Sequence, residues 1–544
     1  MIPEILVGKR QVLLFVVSVL LSRPLGLWQT RDGKPRILVG IVCWAIALVV
    51  LLANVLATEI DDEVLWLINA WGQANGTLFL RVALFKPFLA LGLAPSATIM
   101  AGRACVAALA VICAWLAASM ARRMGQSALV SMLIGPVLLL CFARGAHHTS
   151  MQMVFLRPEY FAFAFFAFGL WALLTPPTSW SRQTSVFLGF AFLTLCASTS
   201  LRQFLFPAGA LACVLLYPGK ISRGAAAKWA ILGGLVGLAP TALWMIFTDS
   251  IKAVYYWHVV FPKQAQWLYP SGPLSVSTVL LGLALAGCFY LWPREENRSF
   301  SRTLIILWIT ATALAMSNPL KMGYSLGPWL TLSTLIGGAF LSALPNREPG
   351  LSQTRWTIIA FSLMGLPLLA AHATDYGSPR GVLAAFRQCG SQLRLIDWID
   401  QTRGGGPVIC VVPYHPIRAA NVWKMSNAWW YASMSVRSLL LELDPDIESK
   451  LRSCKAAVIQ WDPCPKWSRN DNVMQFWARW GFIPPGRTDE MARRLAHRYV
   501  PVHWDGPLPA LGGSVFLVRK DLKLAPGVTV LDARVILDWR KKTR

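Results

Sequence analysis

The run ILVGIVCWAIALVVLLANVLA, residues 37–57, contains no charged side chain, and the acidic stretch TEIDDE, residues 58–63, follows it directly. A helix needs about 20 mostly apolar residues to cross the hydrocarbon core of a bilayer, and this run has the required length. A charge at the centre of such a helix costs roughly 2.5–3.5 kcal/mol, so we expect the acids where the helix leaves the membrane. The acids of this stretch are Glu59, Asp61, Asp62 and Glu63.

The whole chain is also rich in apolar residues. Of 544 residues, 55% are hydrophobic and 14% are charged, whereas about a quarter are charged in a typical soluble protein. The net charge of +25 is explained by basic cytoplasmic loops and by contacts to lipid headgroups. The composition therefore predicts a multi-pass protein of the cell inner (plasma) membrane, with the bilayer as a partner and no binding of nucleic acid.

Further apolar runs predict a helical membrane domain, residues 37–373, with about eleven transmembrane helices plus interfacial helices. A shorter run at 11–21 predicts an interfacial helix on the cytoplasmic face, within a cytoplasmic or interfacial segment 1–36. Whether residues 11–28 instead span the membrane stays open. The predicted spans are 37–57, 97–118, 127–143, 160–174, 185–201, 204–217, 229–247, 273–292, 304–316, 326–344 and 356–373.

The distribution of basic residues predicts the orientation of these helices. If Arg31, Lys34 and Arg36 are cytoplasmic and the helices alternate, each short cytoplasmic connection contains basic residues, as the positive-inside rule requires. The acidic stretch then lies on the extracytoplasmic side. Because the number of spans is odd, the C-terminal portion is expected on that side as well.

Residues 374–544 are predicted to form an extracytoplasmic (periplasmic) α/β domain, because long apolar runs end there. Its four cysteines could form up to two disulfides outside the cell, and their pairing stays open among Cys389, Cys410, Cys454 and Cys464. The predicted strands lie in PVICVVPY (407–414), KAAVIQW (455–461) and GSVFLVRK (513–520), and the predicted helices in NDNVMQFWARW (470–480) and DEMARRLAHRY (489–499).

The other predicted outer loops carry the charge opposite to that of the acidic stretch. Acids on one loop and cations on several others suggest an outward-facing cavity for an anionic substrate, and guanidinium and ammonium groups are suited to holding phosphate. No cofactor is assigned, although a divalent metal is possible. The basic residues and histidines of these loops are Arg81, Lys86, Arg144, His147, His148, Arg157, Lys252, His258, Lys263 and Lys321.

Several short motifs, in this order along the chain, resemble those of the polytopic C-type glycosyltransferases. This superfamily includes aminoarabinose transferases, protein O-mannosyltransferases and bacterial arabinosyltransferases, which take sugars from polyprenyl phosphates. The chain departs from the family pattern where Val82 follows Arg81 in place of Asp, and where Glu159 replaces Asp. The motifs are DDE (61–63), ANGTLFLRVALFKPFLALGLAPSATIMAGR (74–103), LRPEY (156–160), TSLRQFLFP (199–207), NPLKMGYSLGPW (318–329) and PYHPIRAANVWKMSNAWWYAS (413–433).

The resemblance implies transfer of a sugar from a polyprenyl-phosphate donor to a lipid or glycan acceptor of the cell envelope, with inversion at the anomeric carbon. Asp62 is then the general base, Asp61 its alternative, and Glu63 a partner of the acceptor or of a cation. The donor phosphate is expected to contact Arg157, Lys321, Arg202, Arg81 and Lys86, and the substrate cavity to include Glu159, Tyr255, Tyr256 and His258.

The leading alternative is a transporter or flippase of lipid-linked saccharides, which performs no chemistry. Such a protein also places charges in a central cavity, but it is expected to show internal repeats and polar groups near the bilayer centre. The sequence leaves open which sugar is moved and whether the acceptor is lipid A, a cell-wall glycan, a lipid-linked oligosaccharide or a protein.

Overall fold

A computed structural model gives the architecture of most of the apolar portion and of the C-terminal sheet. Predictions that concern the other residues, including the interfacial helix at 11–21, lie outside the described residues. The structure describes residues 34–57, 79–143, 157–249, 251–255, 278–293, 298–317, 326–343, 359, 362, 379–404, 406, 408–409, 456–461, 486–506 and 515–538.

Helices cover ten of the eleven apolar runs that the sequence analysis assigned as spans, and the eleventh, 356–373, lies almost wholly outside the described residues. The helices of this portion are α1 (Lys34–Ala57), α2 (Phe79–Ala90), α3 (Pro95–Arg123), α4 (Ala128–Ala143), α5 (Pro158–Leu174), α6 (Arg182–Thr199), α7 (Leu205–Leu216), α8 (Arg223–Phe247), α9 (Ile251–Tyr255), α10 (Thr278–Leu291), α11 (Arg298–Ser317) and α12 (Gly327–Ala343).

Three stretches in the described part of the chain are long and apolar enough to cross a membrane: Val39–Ala57, Pro95–Arg123 and Arg223–Phe247. The other apolar helices are shorter, at 10–17 residues. The prediction of a mostly helical chain that has apolar helices long enough to cross a membrane and a small sheet near its C-terminus is confirmed. The count of eleven spans stays a prediction.

The chain forms two compact units. The first consists of Met1–Val55, Leu78–Leu80 and Arg103–Ser378, and the second of Leu56–Thr77, Arg81–Gly102 and Pro379–Arg544. The second unit therefore combines the C-terminal portion with a segment that precedes and begins helix α3.

In the first unit, helices α6 and α8 pack through small residues. A Cβ atom added at Gly233 would overlap the carbonyl oxygen of Phe187, and one added at Gly237 would overlap Thr194 Oγ1 and the carbonyl of Ala191. Such close approach of two backbones is typical of helix pairs in membranes, where small residues permit tight packing. Gly233 and Gly237 are thus required by the packing.

Alanine substitutions in α8 test this packing. Alanine normally stabilises a helix by roughly 0.5–1 kcal/mol relative to glycine. At Gly233 or Gly237 we expect the opposite sign, a loss of about 1–3 kcal/mol, because the added methyl group overpacks the contact. Gly234→Ala is the matched control, since its Cβ would meet Thr194 Cγ2 at an ordinary 3.7 Å. Thermal unfolding of the three variants in detergent measures the difference, and equal melting temperatures would refute the assignment.

Arginines join helix ends on one side of the first unit. Arg123, at the C-terminus of α3, donates from Nη1 to the carbonyl of Pro176 at 2.9 Å, just beyond the C-terminus of α5. Arg182 donates from Nη1 to the carbonyl of Leu173 at 2.8 Å, in the last turn of α5. Cations are favoured at helix C-termini, where carbonyls lack intrahelical partners. The C-termini of α3 and α5 therefore lie on the same side, as the predicted alternation of helices requires.

The second unit contains a mixed sheet with helices on both faces. Its helices are α13 (Pro379–Thr402), α14 (Thr488–Arg498) and α15 (Arg534–Leu537), and its strands are β1 (Val408–Ile409), β2 (Val458–Gln460), β3 (Tyr499–Trp504), β4 (Val515–Arg519) and β5 (Val528–Val530). The strand order is β1-β2-β4-β3-β5, with β1 and β2 parallel and the other pairs antiparallel.

Alternating side chains divide the core of this unit between the two faces of the sheet. In β4, Phe516 and Val518 point to the face that packs against Trp398 of α13, while Val515 and Leu517 point to the face covered by α14 and α15. This alternation is the period-two pattern of a strand. Burial on both faces explains why β4 reads in sequence as a continuous apolar run.

The three strands predicted for the C-terminal portion are confirmed as β1, β2 and β4, and the helix predicted at 489–499 is confirmed as α14. The helix predicted at 470–480 lies outside the described residues. Strands β3 and β5 were not predicted. Pro501 lies inside β3, and proline is uncommon within a central strand.

A polar contact within the second unit ties α13 to the N-terminus of α3. Asp397 Oδ1 accepts a hydrogen bond from the backbone N–H of Ser96 at 3.1 Å, and Asp397 Oδ2 accepts one from the Ser96 hydroxyl at 2.5 Å. Amide groups in the first turn of a helix lack intrahelical acceptors, and a carboxylate is favoured there. Asp397 therefore caps α3 from a position 301 residues further along the chain.

Candidate functional site

The most unusual polar residue of the first unit is Arg103, which is fully buried (0% exposed) in α3. Its Nη1 donates to the carbonyl oxygen of Val55 at 3.0 Å. Val55 lies in the last turn of α1, whose carbonyls have no intrahelical partner. The guanidinium therefore stabilises the C-terminus of the first apolar helix through a hydrogen bond and through the helix dipole.

The residue that Arg103 contacts, Val55, lies close to the acidic stretch along the chain. Val55 precedes Asp61 by six residues and Asp62 by seven. A charged residue within an apolar helix is costly, and such residues usually serve a function. Arg103 is the last residue of the motif at 74–103, and no role was predicted for it. The available signal was a single cation inside the apolar run 97–118.

A second buried charged group lies at the N-terminus of α5. Arg157 Nε and Glu159 Oε2 are 3.6 Å apart, and their side chains are 11% and 8% exposed. Arg157 is the residue preceding the helix, with extended backbone angles, Pro158 occupies the first helical position, and Glu159 lies in the first turn. Proline and an acidic residue are both favoured at these positions. The motif LRPEY thus starts a helix and places two opposite charges side by side.

The pairing of Arg157 with Glu159 has chemical consequences. Glu159 Oε2 is buried and accepts no hydrogen bond in the described part of the chain, so the carboxylate depends on the guanidinium for compensation. Burial strengthens electrostatic interactions because the local dielectric constant is low. A guanidinium in such a place is suited to stabilise a phosphate group that gains negative charge.

The structure places the remaining predicted cations without showing a common site. Lys86 is exposed on α2. Arg81 lies on the same helix, and Arg202 lies in the 3-10 turn Leu201–Gln203 between α6 and α7. Tyr255 is exposed at the end of α9. Among the predicted site residues with described side chains, Arg157 and Glu159 are the two that lie together.

Several predicted residues lie outside the described residues, and their assignments stay predictions. This group contains the proposed base and its neighbours. The residues are Asp61, Asp62, Glu63, Tyr256, His258 and Lys321.

The described part of the chain includes one of the four C-terminal cysteines for which disulfides were predicted. In the described ranges, no group of three or more His, Cys, Asp or Glu residues is arranged to hold a metal ion. Cys389 is buried in α13, while Cys410, Cys454 and Cys464 lie outside the described residues. Both the metal requirement and the disulfide pairing stay open.

Comparison of the chain with protein families and with curated proteins found no match to any family model and no curated relative.

Proposed function

We propose that the protein is an integral membrane glycosyltransferase that moves a sugar from a polyprenyl-phosphate donor to a cell-envelope acceptor on the extracytoplasmic side. The observation that carries the proposal is the buried Arg103, which holds the C-terminus of α1 through Val55. This contact holds Val55, which precedes Asp62 by seven residues in the sequence. A general base must be held within hydrogen-bond reach of its substrate, and a fixed end of the preceding helix serves that need.

In the proposed reaction, a hydroxyl group of the acceptor attacks the anomeric carbon of the donor sugar. The bond between that carbon and the phosphate oxygen breaks, and polyprenyl phosphate leaves with the electron pair. Asp62 takes the proton of the attacking hydroxyl group. Asp61 stays the alternative base, and Glu63 binds the acceptor or orients a cation.

The leaving phosphate gains charge as its bond to the sugar breaks, and preorganised cations lower the barrier for that step. Arg157 is the first candidate for this role, because its guanidinium is nearly buried and is oriented next to Glu159. Lys321, Arg202, Arg81 and Lys86 complete the proposed set of cations.

The extracytoplasmic location is supported by the two ends of α3. Its C-terminus carries Arg122 and Arg123, which the positive-inside rule assigns to the cytoplasm. Its N-terminus, about 43 Å away for a 29-residue helix, is capped by Asp397. If α3 crosses the bilayer, its N-terminus lies on the extracytoplasmic side.

The experiment that tests the proposal is sugar transfer by the purified full-length protein in a bilayer. Radiolabelled polyprenyl-phosphate sugars of different head sugars are supplied with candidate acceptors, and both glycosylated product and released polyprenyl phosphate are quantified. We expect the two products in equal amounts for at least one donor. Absence of transfer from every donor and acceptor, with a folded protein, would count against the enzyme.

A buried charge within a span also fits a transporter or flippase, and the same preparation separates the two functions. A flippase moves the lipid-linked sugar between leaflets and leaves the sugar–phosphate bond intact. Movement of intact donor without release of polyprenyl phosphate would support the flippase, whereas release coupled to acceptor glycosylation would support the transferase.

A further inference from the structure

Helix α13 carries a regular row of exposed arginines. Arg380, Arg387 and Arg394 are seven residues apart and all three are exposed. Seven residues make nearly two helical turns, so the side chains lie on one face at intervals of about 10.5 Å. The C-terminal turns of the same helix bury Leu395, Trp398 and Ile399 against the sheet.

Among the described residues, no acid compensates the charge of this row. None of the three arginines forms an ion pair with an acid in the described part of the chain. The acids of α13 come late, with Asp397 bonded to Ser96 and Asp400 paired with Arg403. Arg380 even lies in the first turn, where a cation opposes the helix dipole. Helix stability therefore does not explain the arrangement.

Two other features of the second unit bear on the environment of the row. Asp397 holds α13 at the N-terminus of the candidate span Pro95–Arg123. The loop that enters this span exposes Leu91 and Leu93, with 60% and 38% of their surface accessible. Exposed leucines beside the end of an apolar helix are suited to the boundary between lipid headgroups and acyl chains.

We propose that the face of α13 defined by Arg380, Arg387 and Arg394 binds the phosphates of anionic phospholipids. Guanidinium groups match phosphate geometry, and Leu383, 49% exposed between the first two arginines, is placed to enter the acyl boundary. The surface is a lipid-docking surface of the second unit, independent of whether the protein transfers sugars.

The test uses the full-length protein in nanodiscs of mixed phosphatidylcholine and phosphatidylglycerol. A trace of photoactivatable phosphatidylglycerol or phosphatidylcholine is added, and labelled α13 peptides are quantified after irradiation. Each basic residue near an anionic surface contributes about 1 kcal/mol, or roughly fivefold. We expect at least about fivefold more α13 labelling by phosphatidylglycerol than by phosphatidylcholine, and a preference of less than about twofold in a variant with all three arginines changed to glutamine.

A control variant removes the same charge elsewhere in the second unit. Arg487, Arg493 and Lys523 are exposed, and their change to glutamine is expected to leave α13 labelling unaltered.

For the unmodified protein, raising the salt from 0.1 M to 1 M shortens the screening length from about 10 Å to about 3 Å and is expected to reduce the preference for phosphatidylglycerol. Equal labelling by both lipids, or a preference unchanged in the arginine variant, would overturn the proposal. Equal loss in the control variant would also overturn it, since net charge alone would then be the cause.

Discussion

Replacing Asp62 by asparagine is expected to lower the rate of sugar transfer by on the order of 100-fold or more, the lower range of general-base effects. Asparagine keeps the size of the side chain but cannot take the proton of the acceptor hydroxyl group. Because the change removes a single charge from a stretch that already carries several acids, we expect normal insertion and an unchanged melting temperature. The measurement is the initial rate of transfer per folded protein.

Two matched variants define what the Asp62 result means. Asp61→Asn tests the alternative base, and only one of the two positions is expected to show the full loss. Glu490→Gln, an exposed acid on α14, controls for the loss of one negative charge. An Asp62→Asn protein that is correctly inserted and transfers sugar at the normal rate would remove Asp62 from the mechanism.

Replacing Arg157 by methionine is expected to destabilise the first unit by up to about 3–5 kcal/mol, the cost of breaking a buried ion pair. The reason is that Glu159, 8% exposed and 3.6 Å from the guanidinium, is left as a buried carboxylate without its counter-charge. The double variant Arg157→Met/Glu159→Met removes both charges and is expected to recover most of the stability. Chemical denaturation in detergent compares the three proteins.

The double variant also separates packing from chemistry. If Arg157 contacts the leaving phosphate, the double variant regains stability but still transfers sugar at a greatly reduced rate. Recovery of both stability and transfer would show that Arg157 only compensates Glu159. Unchanged stability of the Arg157→Met variant would contradict the inference that the buried carboxylate of Glu159 needs Arg157 as its counter-charge.

The helical part of the fold could be predicted because a bilayer requires long apolar runs whatever their helical periodicity. The motif LRPEY was expected to open a helix and does so at Pro158, whereas the pairing of Arg157 with Glu159 was not predicted. Strand β3 was not predicted, because it contains Pro501 and proline is uncommon within a central strand. Its antiparallel pairing with β4 depends on tertiary contacts that a local pattern does not contain.

Long-range polar contacts could not be predicted from the sequence. Asp397 and Ser96 are separated by 301 residues, and neither has a neighbour that signals the bond. Arg103 was overlooked because one charge barely changes the average hydropathy of a 29-residue helix. Its partner is a backbone carbonyl, that of Val55, which no side-chain pattern can reveal.

The central claim is that the acidic stretch and the phosphate-binding cations act in one pocket, and a double-mutant cycle tests it most directly. The cycle measures kcat/KM for transfer in four proteins. They combine either residue at position 62, Asp or Asn, with either residue at position 157, Arg or Gln. All four carry Glu159→Gln, so that no buried carboxylate is left unpaired. We expect the two changes to be coupled by at least about 1 kcal/mol, as found for residues of one site. Additivity within about 0.3–0.5 kcal/mol, the behaviour of distant sites, would contradict a shared pocket.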